Sequence, residues 1–378
     1  MAIVGLLKWG KMLKIDNTKI YKYIILIIIS LGIVIFTYNN YFLYKSSILK
    51  ITNIDTNTKI NKENNEKYYT QTITGVVKNG KYKGKEYTLE NYTSYSGVYD
   101  EQIHKHSELI VEISSDGEKV MGITSIKRDK YIVILLLIFL DSIIIVGNKK
   151  GLKTILSLFI NILISAFTIF IYEKHFGKVN ILLLFIPVSI FFIIFSLYAT
   201  NGKDRKTFAA IASAIISLLL SFLLSFIMIK IYTSTIPYWF MDYIEAVRDY
   251  ENLFFVNVLL GGLGAIMDIS ITMSSSLNEL ISKNDKITKE ALIKSGKEIS
   301  KDIVGTMISV MLFTIYTGII PMALLAVRNN MPLSGILTTY GEVEMIRVLT
   351  SSISIVLAIP ISLYISIYIL KKGEDKND

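Results

Sequence analysis

Uninterrupted apolar runs constrain this chain more than any other feature. YIVILLLIFLDSIIIVG (131–147) and ILLLFIPVSIFFIIFSLYA (181–199) hold almost nothing that could face water. A run of roughly 18 or more such residues spans a bilayer core about 30 Å thick. Within hydrocarbon every backbone N–H and C=O must be satisfied inside the segment, so runs of this length fold as helices. The chain therefore reads as a polytopic α-helical membrane protein. Its composition agrees, with 52% hydrophobic residues and a mean hydropathy of +0.50. The absence of cysteine removes disulfides, thiol catalysis and thiolate metal sites.

Eight spans are expected, at about 20–38, 131–147, 152–172, 180–199, 207–231, 253–277, 303–325 and 346–370. The first follows Lys8, Lys11, Lys14, Lys19 and Lys22, as a signal peptide would. No small-residue cleavage site comes after it, and Phe36, Tyr38, Tyr41, Phe42 and Tyr44 form an interfacial aromatic belt instead, so it reads as an uncleaved anchor. Lysines and arginines concentrate in alternate loops: Lys149, Lys150 and Lys153, then Lys203, Arg205 and Lys206, then six lysines in 278–302. The intervening loops hold only Lys174, Lys178, Arg248 and Arg328. By the positive-inside rule both termini are expected in the cytoplasm of a bacterium, with the spans in its plasma membrane. The net charge of +9 then belongs to inner loops and does not call for a nucleic-acid partner. The expected order is a basic cytoplasmic N-terminus (1–19), an anchor (20–44), a flexible polar linker (45–68), an extracytoplasmic β domain (69–129), a seven-span bundle (130–370) and a cytoplasmic tail (371–378).

The β domain is expected from YTQTITGVVK and KYKGKEYTLENY, which flank Asn79-Gly80, a two-residue hairpin signal. SELIVEIS and EKVMGITSIK complete a small antiparallel sheet or barrel of four or five strands. His104 and His106 in HKH are too few for a metal site, so no metal or cofactor is expected.

The sixth span carries the chemistry. In GGLGAIMDISITMSSSLNEL, Gly261, Gly264, Asp268, Thr272, Ser275 and Glu279 fall within about 80° of one another on a helix. Ile266, Ile269, Met273 and Leu277 point the other way and suit lipid. Asp268 lies about 15 residues, roughly 22 Å, from the outer end. A charge at that depth costs about 2.5–3.5 kcal/mol, tolerable only if it faces protein, water or a ligand. Lys230 and Arg347 are too shallow to neutralise it. Thr306, Ser309 and Tyr316 cluster on one face of the seventh span and are expected to face Asp268, Thr272 and Ser275, with Gly261 and Gly264 letting the helix bend or pack closely. The inner loop reads as an amphipathic helix, KITKEALIKSGKEI. Ala209, Ser213, Ser217, Ser221 and Ser225 recur every four residues in the fifth span, as in small-residue packing. Asp141 and Asn161 are expected to hydrogen-bond across the hairpin of the second and third spans.

On GGLGAIMDISITMSSSLNEL, on GKEISKDIVGTMISVMLFTIYTG and on the order of anchor, β segment and seven spans, the chain resembles the YibE/F-like family of bacterial multi-pass membrane proteins. The resemblance implies an integral membrane protein without an agreed substrate. It also implies a Gly-Asp pair before the fourth strand, where this chain has Ser107-Glu108, so the start of that strand is expected to differ.

The leading expectation is a transporter or permease with Asp268 binding a proton, a sodium ion or an amine, although no internal repeat is visible. The alternative is a receptor or assembly factor acting through the β domain, whose YTLENYTSYSGVY segment is rich in tyrosine. Without HExxH, GxSxG or cysteine the chain is not read as an enzyme. The bilayer and a small solute or ion are the expected partners, with a homo-oligomer left open.

Overall fold

The computed structural model describes residues 17–60, 67–94, 100–175, 178–231 and 250–371. The basic N-terminus before 17, the tail from 372, Arg248 and part of the tyrosine-rich segment lie outside the described residues. The chain divides into two compact units at Val146/Gly147.

The first unit begins with helix α1 (Asn17–Tyr38), an apolar helix followed by a short 3-10 turn (Asn40–Leu43). Five strands come next: β1 (Ser47–Ile60), β2 (Lys67–Val77), β3 (Glu86–Thr93), β4 (Glu108–Ile113) and β5 (Val120–Ile126). They form one antiparallel sheet in the order β3-β2-β1-β4-β5. Along β2 burial alternates strictly through Gln71, Ile73, Gly75 and Val77, the period that a one-sided core demands. That core gathers Leu49, Ile51, Ile73, Val77, Tyr87, Leu109 and Val111 under Ile103. The sheet curls until the hydroxyls of Tyr82 and Tyr87 reach the β4–β5 turn, donating to Ser115 O at 2.8 Å and Gly117 O at 2.9 Å. Buried Gln71 ties the 100–106 segment down, its amide exchanging two 2.8 Å bonds with the backbone of Ile103.

Two expectations fail here. Residues 45–68 are not a flexible linker; β1 occupies most of them and is the central strand of the sheet. Its threonines and isoleucines favour extended backbone, and its polar residues are tolerated because the far half of the strand is exposed on both faces. Nor is Asn79-Gly80 a two-residue hairpin, for β2 and β3 are joined by residues 78–85. The Asn79 side chain instead accepts from Ile48 N (2.7 Å) and donates to Tyr44 O and Ser46 O, fixing the chain where it enters β1.

Helix α2 (Asp129–Lys174) starts in the first unit and ends in the second. It merges the expected second and third spans into one 46-residue element whose backbone departs from helical geometry at Asn148 (φ 49, ψ −127). The second unit continues with α3 (Ile181–Asn201), α4 (Arg205–Ile231), α5 (Tyr250–Gly261), α6 (Leu263–Lys283), α7 (Lys289–Arg328), a single turn α8 (Leu333–Ile336), a π turn (Leu337–Gly341) and α9 (Glu342–Lys371). Among the described residues, seven helices are long and apolar enough to cross a membrane, not eight. The difference lies in GNKKG: the expected second and third spans are two helical stretches that meet at a kink at Asn148 without an intervening loop, and so form one element.

Local signals set the other ends. Asn180 caps α3 by accepting from Leu182 N, and Gly202, at φ 80, ends it. Thr288 caps α7 by accepting from Ala291 N. The expected amphipathic helix of the inner loop is therefore continuous with the seventh span in one 40-residue helix. The core of the unit is α4, α6 and α9, with α3, α5 and the first turns of α7 packed around them. The small-residue stripe of α4, Ala209 to Ser225 at every fourth position, is fully buried in it, as its spacing predicts.

Candidate functional site

The stripe on α6 is real, but it faces the other way. Ile266, Ile269, Met273 and Leu277, expected toward lipid, are completely buried. Gly264, Asp268, Thr272 and Glu279 are exposed, and Ser275 is half-buried. The reason is the shape of the neighbours. α4 offers Ala210, Ser213, Ala214, Ser217 and Ser221, and α9 offers Ser351, Ser354, Ala358, Ser362 and Ser366, all buried and all small. Bulky side chains of α6 fill the space these leave, and two α6 serines join them: Ser270 bonds Ser362 at 3.0 Å and Ser274 bonds Ser366 at 2.7 Å. Gly261 and Gly262 let the α5–α6 junction approach α9, since a Cβ at each would lie 3.3 Å from Ser351 Oγ and 3.2 Å from Ser354 Cβ. The helix is interrupted at Gly262, between the two glycines expected to bend it. Gly264 itself has open space beside it.

Thr306, Ser309 and Tyr316 do not join Asp268. The fully buried residues of α7 are concentrated in its first turns, at Leu292, Gly296 and Ser300. Thr306 and Ser309 are exposed and donate to carbonyls of their own helix, Ile303 O at 2.9 Å and Gly305 O at 2.8 Å, while Tyr316 is half-buried.

Asp268 has different neighbours. It lines an open groove of about 320 Å³ with Gly264, Met267 and Ile271 of α6, Thr154, Ser157, Leu158 and Asn161 of α2, and Ser196, Leu197, Thr200 and Asn201 of α3. Asn161 Nδ2 donates to Ser196 Oγ at 2.8 Å, and Ser157 Oγ donates to the same oxygen at 3.2 Å. Asn161 therefore does not pair with Asp141, which accepts from Ser30 of α1 at 2.8 Å. The Oδ1 of Asn161 is buried without a hydrogen-bond partner among the described residues. No hydrogen bond or ion pair joins Asp268 to any described residue. The two cations judged too shallow are engaged elsewhere, Lys230 by Glu251 and Arg347 by Glu344, each at 2.6 Å. The α2 and α3 contributions escaped sequence reasoning because SxxxN in α2 and SLYATN in α3 look like ordinary interhelical polar residues; their spacing, one face of each helix, was the available signal.

A second polar constellation, unforeseen in the sequence, lies in the first unit. Lys127, at the exit of β5, is 1% exposed. Its ammonium meets Asp129 Oδ1 at 2.9 Å, Thr37 O at 3.3 Å and Glu108 Oε2 at 3.5 Å, and sits over the rings of Tyr41 and Tyr44. Tyr41 donates to Glu108 Oε1 at 2.6 Å, while Tyr44 and Asn40 both donate to Asp129 Oδ2 at 2.8 Å. Burial and then the adjoining carboxylates hold both phenols in the neutral form, Tyr44 pushed up to about 12 and Tyr41 further. The end of α1, the start of α2 and the sheet are thus keyed together by one buried cation. Glu108 opens β4, at the position where the Gly-Asp pair was expected. His104 and His106 are exposed, and among the described residues no three of His, Cys, Asp and Glu gather as a metal would require.

Seven long apolar helices and a small curled sheet define a membrane-embedded helical protein with an N-terminal β domain. More specifically, the chain belongs to the YibE/F-like family: the family model for the YibE/F-like protein matches residues 135–372, and that for the YibE/F family N-terminal domain matches 42–127. Comparison with curated proteins and with solved structures gives no match.

Proposed function

We propose that the protein is a permease of the bacterial plasma membrane, with both termini cytoplasmic and the β domain outside, and that the groove beside Asp268 is its substrate or ion site. One observation carries the reading: a carboxylate on an apolar helix, unpaired among the described residues, opens onto a groove lined by neutral polar side chains. Keeping a charge there costs about 2.5–3.5 kcal/mol. A structural role would be expected to answer that cost with a fixed partner, whereas a mobile ligand answers it only when bound. The lysine-rich inner loops support the orientation.

The test is flux. Proteoliposomes containing the full chain and a trapped pH-sensitive dye, under imposed salt gradients, report proton and ion movement. Wild type moves charge or protons above the protein-free leak, and Asp268→Asn, which keeps the shape, abolishes this at equal incorporation. Undiminished flux in Asp268→Asn overturns the assignment. The buried Lys127 cluster favours a second reading, a receptor whose β domain passes a binding event to α1 and α2. Deleting residues 66–127 separates the two, since a receptor loses all function and a permease retains flux.

A further inference from the structure

The hydrogen-bond pattern of the groove says more than its polarity. Its hydroxyl hydrogens are largely spent on the protein: Thr154 donates to Lys150 O at 3.0 Å, Ser157 to Ser196 Oγ, and Thr200 to Ser196 O at 2.7 Å. The amides spend N–H groups in the same way, Asn201 both of its two and Asn161 one. Asn161 Nδ2 goes to Ser196 Oγ, and Asn201 Nδ2 goes to Thr200 Oγ1 at 2.8 Å and Leu197 O at 3.3 Å. Apart from the Ser196 hydroxyl hydrogen and the second N–H of Asn161, what remains is oxygen lone pairs. The carboxylate of Asp268 and the amide oxygens of Asn161 and Asn201 stand uncommitted among the described residues, the Asn161 oxygen buried as well. A surface of acceptors with few free donors is complementary to a cation and repels an anion.

Charge and lining narrow the class. Among the described residues, Asp268 is the one ionisable group lining the groove. A monovalent cation leaves the occupied site neutral, whereas a divalent ion leaves a net positive charge in a low-dielectric setting and ordinarily takes more carboxylates. None of the described lining residues is aromatic, and aromatic faces are the usual means of holding organic ammonium groups. We propose that the groove binds a monovalent alkali-metal cation, held by the Asp268 carboxylate with the amide oxygens of Asn161 and Asn201. The inference rests on the groove being the transport site and names the ion that site takes.

Thermal unfolding of the full-length protein in detergent tests it, comparing LiCl, NaCl and KCl with choline chloride at constant ionic strength. One alkali cation raises the melting temperature saturably in wild type. Asp268→Asn abolishes that rise, and Asn161→Leu and Asn201→Ala each shift its midpoint at least tenfold higher while the proteins stay monodisperse. The absence of an alkali-specific rise overturns the proposal, as does an equal rise in Asp268→Asn or saturation by magnesium at lower concentration. Repeating the flux assay in choline separates the two claims. Flux that persists without any alkali cation overturns the ion assignment and leaves the permease standing. A saturable rise in a protein without flux supports the ion site and removes the permease.

Discussion

Replacing Lys127 with methionine keeps the aliphatic stem and removes the one positive charge that two carboxylates share. Without the ammonium, Asp129 Oδ1, Thr37 O and Glu108 Oε2 each lose a cationic neighbour. Asp129 keeps Asn40, Tyr44 and the Lys130 N–H as donors, and its side chain is 22% exposed. Glu108 fares worse: it is 4% exposed, Oε1 retains only the Tyr41 hydroxyl, and Oε2 takes no hydrogen bond even in the native cluster. Breaking a buried ion pair from one side costs about 3–5 kcal/mol, because the surviving charge is left uncompensated. The lower end applies here, since water reaches Asp129. At about 1.4 kcal/mol per factor of ten, a cost near 3 kcal/mol raises the open population on the order of a hundredfold. Hydrogen exchange on the full chain in nanodiscs reads this directly at the amides of β1 and β4 around the cluster. They exchange on the order of a hundredfold faster in Lys127→Met, and adding Glu108→Gln recovers most of the loss by removing the orphaned charge. Exchange within a few-fold of wild type in the single variant, or a further acceleration in the double variant, would refute the argument.

Three further outcomes follow from the packing and the titration. Gly296→Ala places a Cβ 2.2 Å from Leu363 Cδ1 in a buried contact, so α7 and α9 lose about 1–3 kcal/mol, seen as a lower melting temperature and as easier proteolysis near residues 284–288. Ser270→Ala leaves the Ser362 hydroxyl buried and unpaired and lowers stability by about 0.6 kcal/mol, and adding Ser362→Ala costs little more; equal additive losses from the two would contradict the pairing. The phenol of Tyr44 has its ordinary value of 10.0 in the unfolded chain and about 12 in the fold. Between those values the fold keeps a proton that the unfolded chain has lost, so the stability it contributes is full below pH 10.0 and falls as pH rises toward 12. Following phenolate absorbance alongside unfolding shows a late-titrating tyrosine fraction that Asp129→Asn diminishes.

Much of the architecture was written in hydropathy. Apolar runs located every long helix, β-rich composition located β2, β3 and β5, alternation located β4, and four-residue spacing of small groups located the packing face of α4. Hydropathy failed where backbone continuity and composition disagree. GNKKG looks like a loop because lysines are costly in hydrocarbon, but lysines are good helix formers, and the break is confined to a kink at Asn148. β1 was hidden because a strand exposed on both faces over half its length carries no alternation. At the site, Gly264 and Asp268 of the expected α6 residues line the groove, whereas Thr272 and Ser275 do not, and the direction of their face was not foreseen. Helical periodicity identifies two faces and is silent on which neighbour each meets; the serines and alanines of α4 and α9 decide that, and they lie tens of residues away. Asp268 stood out because its charge is expensive wherever it points. Asn161 and Asn201 did not, since an amide on a membrane helix is ordinary until its partners are known.

The paired serines between α6 and α9 have a mechanical consequence. Their rungs repeat every four residues on two helices that run in the same direction. Slipping one helix past the other by a turn, about 5.4 Å, still brings a serine opposite a serine, so the offset register forfeits one rung rather than both. The bulky Ile266, Ile269, Met273 and Leu277 buried beside the serines oppose that slip and hold the register. The serine rungs thus mark two matched registers one turn apart, and Asp268 is carried on one of the two helices they join.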